Sequence, residues 1–195
     1  MGFRIAMIGR TPERLAGVEA ELRREGVEAK GFAADAGKEG QLRRAFGAIR
    51  ERMGETEVLV YNAVAVRQAP PMRLTAEEMT DDYRVNVVGA LISAQEVAPS
   101  MKVAKRGSIF LTGGILATEP VSALCSLSAG KAAIRNLAFS LAKDLQRDSI
   151  HVATVTVGGF VREGTLLAPE RVAEVFANLY AEPRGEWHRE IVFSG

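Results

Sequence analysis

At 195 residues the chain is long enough to bury one sizeable core, and 47% hydrophobic with 25% charged residues is a globular balance that excludes a disordered chain. The 25 basic and 24 acidic side chains nearly cancel, leaving a net charge of +1 and no electrostatic footprint for nucleic acid or an anionic membrane surface. One cysteine (Cys125) and two histidines (His151 and His188) exclude an intrachain disulfide and are too few for a zinc site.

No apolar run nears the roughly 20 residues that span a bilayer, and Met1-Gly2-Phe3-Arg4 lacks the layout of a signal peptide. The expectation is a soluble, cytoplasmic chain with residues 1–195 forming a single domain.

Residues 3–8 (FRIAMI) form a short apolar run closed by Gly9, the pattern of a buried strand. Thr11-Pro12 opens a helix, Leu15, Val18 and Leu22 keep helical spacing, and Gly26 ends it. A second strand covers residues 27–34 and runs into Asp35. Leu42, Phe46, Ile49 and Met53 mark the inner face of a second helix that stops at Gly54. Residues 57–64 (EVLVYNAV) are apolar almost throughout, as befits a strand covered on both faces. Pro70-Pro71 places residues 65–74 in a loop, and Thr75-Ala76-Glu77-Glu78 is a capping box opening a long helix to about Lys105.

A fourth strand, residues 107–112, ends in Gly113-Gly114, and an alanine- and leucine-rich helix occupies residues 126–145. A fifth strand, residues 151–157, ends in Gly158-Gly159; a helix from Pro169 and a strand at 190–193 close the chain. Strand and helix alternate throughout, which predicts a parallel sheet with helices on both faces. Ligands of such sheets bind beyond the carboxyl ends of the strands, so Gly9-Arg10, Asp35, Tyr61-Asn62-Ala63, Gly113-Gly114 and Gly158-Gly159 are the candidate positions.

Those positions resemble the short-chain dehydrogenase/reductase family along nearly the whole chain. Residues 126–133 (SLSAGKAA) look like the family's Tyr-x-x-x-Lys helix start, and residues 82–89 resemble its asparagine-bearing helix, with Asn86 as the asparagine. Residues 57–64 resemble the Asn-Asn-Ala-Gly strand, Asp35 matches an aspartate beside the adenine, and Gly9-Arg10 stands where NAD and NADP are discriminated. The resemblance implies an α/β fold with a Rossmann-like doubly wound parallel sheet, and an oxidoreductase of a carbonyl or alcohol substrate. It also implies a homodimer or homotetramer, in which Ala132, Ala133, Ala138 and Ala142 would allow close helix approach. Gly9, Arg10, Asp35, Asn62, Ala63, Lys131 and Gly158 would hold the nucleotide, and Asn86 and Lys131 are what remains of the catalytic set. A guanidinium at position 10 suits a 2′-phosphate, so NADP(H) is expected over NAD(H).

Three departures qualify this. Leu127 stands four residues before Lys131 where the family has tyrosine, and the serine position falls on Gly113 or Gly114. The fifth strand keeps Gly158 without a preceding proline, and the short segment 160–168 implies a small or poorly enclosed substrate. Finally, the family's first strand, glycine-rich turn and helix have no counterpart, so nucleotide binding is conditional on such a turn upstream of Met1. Omission of that central strand should expose two unpaired edges or force the halves together. The expected explanation is a natural start about 25–30 residues earlier, one strand–helix unit; the alternative is a rearranged sheet completed by a partner chain. Two functions are expected from these residues. One is an NADP-dependent oxidoreductase whose acid is a water held by Lys131 and Asn86. The other is a non-catalytic nucleotide-sensing or protein-binding module.

Overall fold

The computed structural model describes residues 2–195. Six strands alternate with helices in chain order: β1 (Ile5–Gly9), α1 (Pro12–Arg24), β2 (Ala29–Ala33), α2 (Glu39–Met53), β3 (Val58–Tyr61), α3 (Ala76–Tyr83), α4 (Gly89–Ala104), β4 (Gly107–Thr112), α5 (Cys125–Leu145), β5 (Ile150–Val157), α6 (Pro169–Ala181) and β6 (Glu190–Phe193). Every strand pairing is parallel. Proline at the first position of α1 and of α6 sets each helix start, where no intrahelical N–H is required. The predicted capping box at α3 is formed: the Thr75 hydroxyl accepts from the Glu78 N–H at 3.1 Å, and the Glu78 carboxylate accepts from the Thr75 N–H at 3.0 Å.

The long helix predicted from Thr75 is interrupted by one wide π turn, Arg84–Val88, which joins α3 to α4. The strand predicted at 57–64 ends at Tyr61, where its register with Leu111 ends; Asn62, Ala63 and Val64 leave the sheet exposed. Ala138 and Ala142 turn onto the chain's own core, whereas Ala132 is exposed.

The sheet is divided. β1 and β2 form a two-stranded sheet, and β3-β4-β5-β6 form a four-stranded one. β1 and β3 therefore each keep a free edge, and both edges line one cavity of about 730 Å³. Of the two outcomes expected for a sheet without its central strand, the open one is found. Its cause is the helix layer on one face. Phe32 of β2, Leu42, Phe46 and Ile49 of α2, Leu59 of β3, Val97 and Met101 of α4 and Ile134 of α5 belong to one apolar core that runs beneath both sheets. Glu96 of α4 accepts from Arg43 and Arg50 of α2 at 2.8 and 3.0 Å, locking the two helices together. The opposite face has only a smaller core, between α6 and the four-stranded sheet, and α1 has no buried residue. Val60, in the middle of β3, is 46% exposed. Among the described residues no helix is long and apolar enough to cross a membrane.

Hydrogen-bond parity identifies the free groups. Ile5 donates its N–H to Glu28, and Ser108 donates to the Glu57 carbonyl. Successive residues of a strand point their N–H and C=O to opposite sides. Ala6 and Ile8 on one edge, and Val58 and Val60 on the other, therefore aim their backbone groups into the slot. Amide hydrogen exchange followed by NMR should separate sequence neighbours: Ala6, Ile8 and Val60 should exchange about tenfold or more faster than Met7 and Leu59. Equal protection along β1 and β3 would contradict the open slot.

Candidate functional site

Arg10, Asp35, Asn62 and Ala63 follow the carboxyl ends of β1, β2 and β3, and all four line the slot cavity. Arg10 is exposed and makes no ion pair or side-chain hydrogen bond among the described residues. The carboxylate of Asp35 turns back to accept from the Gly37 N–H at 2.9 Å, while Gln41 holds the Asp35 N–H at 2.9 Å. Tyr61 is held in the wall by its hydroxyl, which donates to the Val85 carbonyl at 2.5 Å. Burial, and then the nearby Asp35 charge, push its phenol far above the usual range, so it is no acid near neutral pH.

Two of the predicted glycines serve packing. A Cβ at Gly9 would lie 3.3 Å from the Leu15 side chain, so the missing side chain admits α1 onto β1. A Cβ at Gly158 would lie 2.6 Å from Ser194, so this glycine admits the chain end after β6.

Asn86 and Lys131 are brought together by a close helix crossing. Gly130 of α5 sits against Asn86, where a Cβ would come within 3.0 Å of it, and Lys131 is the next residue. Both ends of the Asn86 amide bond the backbone of one residue: its Oδ1 accepts from the Ala65 N–H at 2.7 Å and its Nδ2 donates to the Ala65 carbonyl at 3.1 Å. It pins the loop segment that follows Asn62 and Ala63. The Lys131 ammonium donates to the Thr112 carbonyl at 2.7 Å. Burial pushes its pKa down to about 8.

Leu127, one turn before Lys131, is 5% exposed and packs as a core residue. Gly113 has a structural cause as well: a Cβ there would lie 2.7 Å from the Thr154 hydroxyl and 3.0 Å from that of Thr156. Those hydroxyls are themselves committed, to the Leu111 carbonyl at 2.9 Å and to Glu190 at 2.6 Å. Gly114 differs, because a Cβ there would only touch the Lys131 stem at 3.5 Å. Of the nearby hydroxyls, Ser126 donates to Asp82 at 2.7 Å and Ser128 accepts from the Val121 N–H at 3.2 Å. The Thr112 hydroxyl is buried without a partner among the described residues.

Sequence reasoning missed the clamp that seats the loop after β3. Arg67 donates to Asp82 at 3.0 and 3.3 Å and to Glu78 at 3.0 Å, and Asp82, 4% exposed, also takes the Ser126 hydrogen bond. The available signal was the Glu78–Asp82 spacing, which puts two carboxylates on one helix face. Thr154 and Thr156 were legible as a period-two pair of hydroxyls inside an otherwise apolar strand.

The short chain dehydrogenase family model matches residues 1–168. An oxidoreductase of Sarocladium schorii is 28% identical over 181 residues, 93% of this chain and 70% of that protein. The 3-oxoacyl-(acyl-carrier-protein) reductase MabA of Mycobacterium tuberculosis is 30% identical over 131 residues; the match takes in 67% of this chain but only 53% of the reductase. A metagenomic short-chain oxidoreductase solved in complex with NADP superposes with a TM-score of 0.88 at 25% identity, over 97% of this chain and 84% of the other. The chain belongs to the short-chain dehydrogenase family, and the doubly wound α/β fold expected from its sequence is the family's fold.

The two glycines after β4 should respond differently to the same change. Gly113→Ser should lower stability by about 1–3 kcal/mol through overpacking against Thr154 and Thr156, whereas Gly114→Ser should leave the urea midpoint nearly unchanged. Equal losses would refute the packing account of Gly113.

Proposed function

We propose that residues 1–195 form the single nucleotide-binding domain of an oxidoreductase that uses NADP(H) and acts on a carbonyl or alcohol substrate, with a degenerate proton-transfer site. The observation that carries this reading is the convergence of Arg10, Asp35, Asn62 and Ala63, from the ends of three strands, on one cavity with the Arg10 guanidinium unpaired. These residues fit the adenosine half of the nucleotide. Arg10 would meet a 2′-phosphate, Asp35 and its turn would flank the adenine, and Asn62 and Ala63 would lie along the ribose. A backbone cradle for the pyrophosphate is not found among the described residues of this cavity. The solved relative that carries NADP supports the choice of nucleotide.

When bound, the nucleotide supplies or accepts a hydride. The chain's own part is the proton. Reduction of a carbonyl leaves an alkoxide oxygen that needs one proton, and no phenol stands at position 127 to give it. Lys131 is the buried ionisable group beside Thr112 and Gly114, and its ammonium can pass a proton through a water to that oxygen. Asn86 acts on position only, since both ends of its amide are spent on Ala65.

A second reading has its own support. Leu127 and the threonine-filled site at Gly113 put packing groups where the family keeps proton chemistry, as a nucleotide-sensing or protein-binding module would tolerate.

Titration with NADPH and NADH separates the readings from failure of both. NADPH should bind below about the millimolar range, and Arg10→Asp should weaken NADPH by about tenfold while sparing NADH. Absence of NADPH binding overturns the proposal, and binding without turnover across a carbonyl panel selects the second reading. If turnover is found, kcat/KM for reduction should fall as pH rises through about 8, where Lys131 loses its proton. Oxidation should show the opposite slope, and Lys131→Ala should abolish both.

A further inference from the structure

We infer that the amino ends of β4 and β5 carry a second binding site, for a small monocarboxylate with a flat apolar body. A cavity of about 230 Å³ opens there, at the end of the sheet opposite Arg10 and Asp35. Ser108 of β4 and His151 of β5 are register partners, so both side chains lie on the α6 face and form the floor of the cavity. Ser108 is 6% and His151 3% exposed. The imidazole of His151 is already engaged: its Nε2 lies 2.9 Å from the His188 carbonyl, and its ring stacks on Trp187 at 4.9 Å, within 2° of parallel. The Ser108 hydroxyl lines the cavity and makes no hydrogen bond among the described residues.

The charged groups decide the sign of the ligand. Two carboxylates and two guanidinia line the cavity. The carboxylates are committed: Glu182 accepts from the His188 N–H at 2.8 Å and meets its Nδ1 at 2.6 Å, and Glu57 accepts from the Tyr180 hydroxyl at 2.8 Å. The guanidinia keep most of their donors. Arg106 approaches Glu57 only to 3.6 Å, beyond hydrogen-bond range, and Arg184 makes a single bond, to the Lys105 carbonyl at 2.7 Å. Free donors on two arginines above a buried hydroxyl call for an acceptor, and a carboxylate meets a guanidinium in bidentate fashion. Glu57 and Glu182 stand close enough to oppose a second negative charge, which disfavours a phosphate dianion. The Tyr180 and Trp187 rings give the rest of the ligand a flat wall. That wall is held by Glu182, whose backbone carbonyl accepts from the Trp187 indole N–H at 3.3 Å. The site does not rest on nucleotide binding.

The chain has a single tryptophan, and Trp187 stands in the cavity wall, so its fluorescence reports this site. Benzoate should change that fluorescence saturably, with a dissociation constant below about 10 millimolar. Neutral benzamide, cationic benzylamine and inorganic phosphate at the same concentration should not displace it. Arg106→Gln and Arg184→Gln alter exposed side chains, so each should weaken benzoate by about tenfold with the urea midpoint retained. Ser108→Ala should weaken it by about threefold without loss of stability, because the hydroxyl it removes has no partner in the chain. If an arginine variant does not fold, the ligand series and Ser108→Ala decide. No saturable response up to about 10 millimolar overturns the inference, as does unchanged affinity in both arginine variants. Benzamide, benzylamine or phosphate binding as tightly as benzoate overturns it too, since the charge assigned to the ligand is then wrong.

Discussion

The packing of α2 against α4 is the constraint on which the rest of the molecule depends. A parallel sheet is normally held together by its strands, with helices as cover. Here the order of dependence is reversed: no strand hydrogen bond joins β1 to β3, and one apolar core beneath them does the joining. Phe46, Ile49, Val97 and Met101 are each at most 4% exposed, and burial of such side chains contributes about 1.5–3 kcal/mol apiece. Closing the slot would require α2 to slide over α4, breaking the two ion pairs to Glu96 and opening that core. The free edges cost less, because the slot admits water to their backbone groups. This separation also keeps Arg10 and Asp35 on one bank of the cavity and Asn62 and Ala63 on the other.

Around Lys131 several linked packing contacts fix the surroundings of the lysine. Thr154 and Thr156 occupy the space a side chain at position 113 would need, and Thr156 is fixed by Glu190, which Arg135 holds in turn at 2.7 Å. Leu127 seals the helix start. The lysine remains, with burial weakening its charge and the Thr112 carbonyl as its acceptor. Reintroducing a phenol at position 127 would disturb the core, while a hydroxyl at position 114 would find room. The site is thus asymmetric in what it can regain.

Much of this was legible in the sequence because strand–helix alternation and strand ends are local signals. Arg10, Asp35, Asn62 and Ala63 could be assigned to one cavity from topology alone. Gly9 and Gly158 were legible as glycines but not as packing sites, since the atoms that need the space, in Leu15 and Ser194, are set by tertiary approach. The π turn at Arg84–Val88 leaves no period of its own, yet it delivers Asn86 to Ala65. Arg67 carries no pattern at all; only the fold brings Asp82 and Glu78 within its reach. Whether β1 and β3 would close on each other was not legible, because that balance lies in the α2–α4 interface.

The slot and the nucleotide cavity are one space seen from two ends. Strands parallel to β1 and β3 run toward Arg10 and Asn62, so any strand lodged between them ends among those residues.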